Sequence, residues 1–223
     1  MLAVIGSTLP LALGIAISPM AIIAAVLMLL STKARATATG FLVGWLVGIV
    51  AATTVFTLVG GLLPASEPGP PATIRGVIHL AVGVLLLVLA VRQWRRRPTA
   101  GEPTPLPAWM RAIDSISWPA AAGFGFLLSG LSPKNLLLAA AAGVEIGAAA
   151  LPMAETVAVV AIVVLLAGAT VLIPVVAYLV AAERLRAPLG ALRGWLAAEN
   201  AVIMSVLLLV LGVVLIGKGI ASV

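Results

Sequence analysis

Of the 223 residues, 63% are hydrophobic and only 9% are charged, and the formal net charge is +6. A chain this apolar cannot hide its surface inside one water-facing globule, so the bilayer is its solvent. The absence of cysteine excludes disulfide scaffolds, paired-thiol redox chemistry and thiolate metal sites, and a single histidine with seven carboxylates argues against a metal centre.

The first apolar run, 2–31, is too long for one straight crossing and carries Ser18-Pro19 near its midpoint. No basic region precedes it, since the first positive side chain is Lys33, so it is expected to stay as a helix instead of being cleaved as a signal peptide. The second helix, 38–62, contains Gly40-xxx-Gly44-xxx-Gly48, three glycines on one face that let a neighbour approach closely. Leu63 to Pro71 is a proline-rich turn, and the third helix, 73–92, carries His79 about two turns in. From Arg95 to Arg111 the chain is basic and contains Pro98, Pro103, Pro105 and Pro107, as a flexible linker would.

The fourth helix, 115–146, again runs long and carries Ser132-Pro133-Lys134-Asn135 near its middle. The fifth spans 156–182. Between Glu183 and Ala197, Leu185, Leu189, Leu192 and Leu196 form one stripe with Arg184, Arg186 and Arg193 elsewhere, the pattern of a helix lying on the membrane surface. The sixth helix, 199–221, is expected to open at Glu199 and Asn200, with Gly212, Gly217 and Gly219 as packing positions.

The arginines and lysines concentrate in loops one, three and five, whereas the other side holds only Arg75 and Lys218 beside Glu67, Glu145 and Glu155. The positive-inside rule places the basic loops in the cytoplasm and both termini outside a multi-pass cytoplasmic membrane protein. The charge therefore follows topology and is no nucleic-acid footprint. Three helices per half make the halves enter from opposite faces. The expected fold is an all-α integral membrane protein with six transmembrane helices in an inverted 3+3 repeat, helices one and four broken at the Ser-Pro motifs. Its organisation is a first repeat over 1–92, a basic, proline-rich cytoplasmic linker over 93–114 and a second repeat over 115–223.

Offsetting the halves by 114 residues superposes Ser18 on Ser132 and Pro19 on Pro133, and puts Met20 opposite Lys134. A lysine at membrane depth costs roughly 2.5–3.5 kcal/mol on insertion scales, so it is kept for a cavity or a partner. Lys134, with Ser132, Pro133, Asn135, Ser18, Pro19 and Met20, is the candidate substrate site, cationic in one half and apolar in the other. The competing reading is that Lys134 snorkels, or pairs with carbonyls that a structural kink sets free. His79 and Glu199 are the candidate coupling groups, each with a plainer account as a hydrogen-bonded interfacial histidine and a helix cap. The Arg92-Gln93-Trp94-Arg95-Arg96-Arg97 cluster would attract anionic headgroups or simply set topology. No G-x-x-x-x-G-K loop is present, so the chain carries no ATP motor of this kind, and no cofactor is expected.

Pro10-Leu11-Ala12-Leu13-Gly14-Ile15-Ala16-Ile17-Ser18-Pro19, Gly40-Phe41-Leu42-Val43-Gly44-Trp45 and Ser132-Pro133-Lys134-Asn135-Leu136, followed by Ala142-Gly143, resemble the actinobacterial GAP family over essentially the whole chain. That family includes the sulfolipid- and peptidoglycolipid-addressing proteins and is similar to the lysine exporter superfamily. The resemblance implies six helices and a part in moving complex glycolipids to the cell surface. Here the first motif is Ser-Pro-Met, not the Pro-Gly-Pro of amino-acid exporters, which weighs against an amino-acid substrate and leaves it open.

The leading expectation is a transporter or flippase for an amphiphilic, anionic glycolipid or lipid-linked precursor. Small-solute export and a non-transporting scaffold for lipid-export machinery are the alternatives. An enzyme is not expected, because no nucleophile–base set stands out at membrane depth. The expected partners are membrane lipids, the amphiphilic substrate and cell-envelope lipid synthesis or export proteins. Glycine-rich faces pack within and between chains alike, so a homo-oligomer stays open.

Overall fold

Proline decides where the long apolar runs stop being helices. It lacks an N–H, disfavours helical backbone in the residue before it and is pre-organised for the first turn of the next helix. In the computed structural model, which describes residues 1–62, 70–95, 97 and 116–221, α1 (Leu2–Ala16) ends just before Ser18, whose backbone is extended, and α2 (Pro19–Leu30) begins at the proline. The same sequence logic ends α5 (Trp118–Gly130) and starts α6 (Pro133–Ala148), with Ser132 extended between them. The axes bend by 53° at the first break and by 62° at the second.

The remaining helices are α3 (Ala34–Gly61), α4 (Pro70–Arg95), α7 (Met153–Ala182) and α8 (Arg184–Ile220). The described residues contain no strand. Four helices, including the Gly76–Arg95 part of α4, are long and apolar enough to cross a membrane, and the two bent pairs raise the number of spans to as many as six. Large apolar side chains such as Leu58, Ile173 and Val180 lie exposed on the outside of the bundle, a surface that only lipid covers at low cost. The chain is an all-helical, multi-pass membrane protein.

Glycine sets the closest packing. A Cβ on Gly40 or Gly44 would run into the Trp118 or Ala122 carbonyl of α5, and one on Gly48 into the Ser129 hydroxyl. Gly125 answers from α5 against the backbone of Phe41 and Trp45, and Gly143 and Gly147 carry the seam along α6. α3 therefore lies along both arms of the second broken pair. Gly83 and Gly212 meet between α4 and α8, and Gly219 sits against Gly76 and Leu80. Trp45, Phe41, Leu86, Leu138 and Leu215 fill the core between these seams.

Three expectations need correction. Glu199 and Asn200 do not open a helix, because α8 runs unbroken from Arg184 to Ile220. The stretch Ala197-Ala198-Glu199-Asn200-Ala201 holds no proline or glycine, and alanine and glutamate are strong helix formers. For the same reason the amphipathic segment is the first part of α8 and not a separate surface helix; its Leu189 and Leu196 are buried against the protein. The turn into α8 falls instead at Ala181, whose backbone is non-helical (φ −140°, ψ 50°). Gly217 faces open space and takes no part in packing. The turn from Leu63 to Pro71 (apart from Pro70 and Pro71, which start α4) and the linker from Pro98 to Arg111, with Arg96, lie outside the described residues.

Candidate functional site

When a helix stops, its last carbonyls lose their intrahelical donors and carry the negative end of the helix dipole. At the end of α1, the Ser18 N–H turns back to the Ala16 carbonyl and the Ala21 N–H goes to Ser18, so Gly14 and Ile17 are left without their usual helical partners. Lys134 supplies the missing protons. Its Nζ donates to the Gly14 carbonyl at 2.7 Å and to the Ile17 carbonyl at 3.0 Å, with the residue only 5% exposed. From α7, Thr170 Oγ1 donates to the Ala16 carbonyl at 2.6 Å. A cation from the second break and a hydroxyl from a third helix thus hold the frayed end of the first.

The second break is arranged differently. Asn135 Nδ2 donates 3.0 Å to the Leu128 carbonyl, the group that Ser132 would have served had α5 continued. Asn135 is 1% exposed, and its Oδ1 has no hydrogen-bond partner among the described residues. An ammonium has three N–H donors and two are used here, so the junction retains one cationic donor and one buried acceptor. Ser18 and Pro19 are buried, Met20 and Ser132 half-buried and Pro133 exposed. Both serines sit at helix N-caps without using their hydroxyls to cap.

The structure therefore joins Lys134 to the Ser18-Pro19 break, across 117 to 120 residues of sequence, and leaves Asn135 with its own half. The remaining two candidates lie elsewhere. His79 is buried within α4, and Glu199 is exposed on α8. Sequence reasoning missed Thr170, although a hydroxyl four residues before Pro174 in an otherwise apolar run was a usable signal. It also missed a polar cluster where α1, α6 and α8 meet. There Lys218 Nζ lies 3.1 Å from Glu145 Oε2 and donates at 2.7 Å to the Ser7 carbonyl. In the sequence, Lys218 stands out only as a marker of topology, and Glu145 as that and as one of the few acids that proton coupling could use.

No curated protein and no solved structure matches this chain. Residues 8–221, nearly all of it, match the model of a family described as Sap, sulfolipid-1-addressing protein, and the chain belongs to that family.

Proposed function

We propose that the protein moves an amphiphilic, anionic glycolipid or lipid-linked precursor across the cytoplasmic membrane toward the cell surface, as a six-span inverted 3+3 repeat with both termini outside. Membership of a sulfolipid-addressing family and a membrane-embedded helical body support a lipid-related role. The observation that carries the reading further is the Lys134 ammonium, held against α1 carbonyls that an anionic headgroup could replace. Exchange of those carbonyls for a sulfate or phosphate would release the end of α1 and let one half rock against the other on glycine seams. The remaining ammonium proton donates to the anion, the Asn135 Oδ1 accepts from a hydroxyl of the headgroup, and Met20 marks the apolar side. The reading is non-catalytic: it asks for binding and movement, with no bond made or broken in the lipid.

A scaffold for lipid-export machinery is the second reading. It is favoured by the fact that both bonds of Lys134 are to backbone, as a purely structural clamp would have them. The two readings differ in what Lys134→Ala does at equal membrane abundance. The deciding measurement is the profile of surface-extractable lipids in a strain lacking the gene, rescued by wild type or by Lys134→Ala. Accumulation of a polar glycolipid inside, returned to the surface by wild type alone, is the expected result. Full rescue by Lys134→Ala would remove this site from the mechanism and leave the scaffold. Unchanged lipids in the deletion strain would remove the lipid substrate and turn attention to small-solute export.

A further inference from the structure

A groove of about 400 Å³ runs between α4 and α8, away from the Ser-Pro breaks. Its walls are apolar, with Ala90 and Val91 from α4 and Val206 and Leu209 from α8. Only one end is charged, where Trp94 and Arg95 close the lining. Arg92 lies one turn before Arg95 on α4, and the Arg97 guanidinium stacks 4.0 Å above the Trp94 ring. Among the described residues none of these three arginines is ion-paired with a carboxylate. A tryptophan at the end of a membrane helix marks headgroup level, so the groove descends from that level into the hydrocarbon.

We infer that this groove is a binding site for a diacyl lipid with an anionic headgroup, one chain lying between α4 and α8 and the headgroup on Arg95. Charge complementarity selects that occupant. A neutral lipid would leave the Arg95 guanidinium unpaired at its headgroup, whereas an anionic one pairs with it where the apolar chain already lies in contact. A larger groove of about 560 Å³ between α3 and α7 makes the contrast. Its lining is apolar side chains and threonines, with no cation, and nothing there chooses one headgroup over another. The α4–α8 site concerns a lipid held at the flank of the bundle, and it stands whether or not the protein translocates anything at Lys134.

The test uses the full chain, purified in detergent and offered equimolar phosphatidylglycerol and phosphatidylcholine with identical acyl chains, with retained lipid read by native mass spectrometry. Wild type should retain phosphatidylglycerol over phosphatidylcholine about fivefold, the factor expected of one cation at a charged surface. Arg95→Gln should bring the ratio close to one. Leu209→Trp, at a half-exposed position that tolerates bulk, should fill the groove and lose both lipids while the helical circular-dichroism signal is kept. Arg184→Gln, an exposed arginine at the start of α8, should change nothing. Equal retention of both lipids by wild type would overturn the assignment, as would a preference that survives Arg95→Gln or retention that survives Leu209→Trp. Wild type retaining no lipid, the result if another part of this chain occupies the groove, would overturn it equally.

Discussion

The two breaks share a Ser-Pro dipeptide and an extended serine, yet they are held from opposite directions. The first depends on the rest of the molecule, since Lys134 arrives from α6 and Thr170 from α7 to serve carbonyls at the end of α1. The other break is capped locally: Asn135 bonds back to Leu128, while glycine contacts fix both of its arms to α3. Correspondingly, Pro19 is buried and Pro133 is exposed. The dipeptide determines where a helix stops. The two residues that follow the second dipeptide then part company, Lys134 reaching across to the first break and Asn135 staying with its own.

Lys134→Met removes the tie and should have the largest effect. It leaves the buried Gly14 carbonyl and the part-buried Ile17 carbonyl without donors, and at roughly 1–3 kcal/mol for each such group the loss should be about 2–6 kcal/mol. Unfolding by sodium dodecyl sulfate in mixed micelles, followed by circular dichroism, would register it. The exchange variant Met20→Lys with Lys134→Met sharpens the comparison. It should not recover stability, because the Gly14 and Ile17 carbonyls lose the donor that reached them from α6, and the Leu128 carbonyl is already served by Asn135. Recovery in the exchange variant would mean that the two breaks are equivalent.

Gly44→Ala tests the other kind of support. Its new methyl would fall on the Ala122 carbonyl, so α3 and α5 must separate, at a cost of about 1–3 kcal/mol. Gly6→Ala is the matched control, on α1 with nothing near its Cβ position. There the better helix propensity of alanine should leave stability unchanged or raise it by about 0.5–1 kcal/mol. If both glycine variants behaved alike in the same unfolding assay, close packing would not be what holds the second break.

The sequence made the stops legible because proline acts locally, and it singled out Lys134 because a charge at membrane depth is expensive. It did not reveal which carbonyls the lysine would meet. Gly14 and Ile17 resemble any other residues of an apolar helix, and their significance comes from the bend that Pro19 produces. The turn at Ala181 was invisible for a related reason, since Val180-Ala181-Ala182 contains neither proline nor glycine and local propensity favours helix throughout. Glu199 misleads in the opposite direction. A carboxylate after a leucine stripe has the pattern of a helix start, but nothing there interrupts the backbone. The Glu145–Lys218 pair joins residues 73 apart, a distance that charge patterning along one helix cannot bridge.

Asn135→Leu and Thr170→Val should have the smallest effects, and their order separates the two breaks once more. Asn135→Leu deprives the Leu128 carbonyl of its donor but also removes a buried Oδ1 that has no partner, so the two changes partly offset and about 1 kcal/mol should remain. Thr170→Val keeps the shape of the side chain and deletes only the hydroxyl. The Ala16 carbonyl still accepts from the Ser18 N–H, so no acceptor is orphaned and the loss should stay within about 0.5–1.5 kcal/mol. A Thr170→Val protein as unstable as Lys134→Met would mean that the hydroxyl ties the first break to the second half as strongly as the ammonium does. In that case Thr170 would still hold the end of α1 after Lys134 had let go of it for an anion.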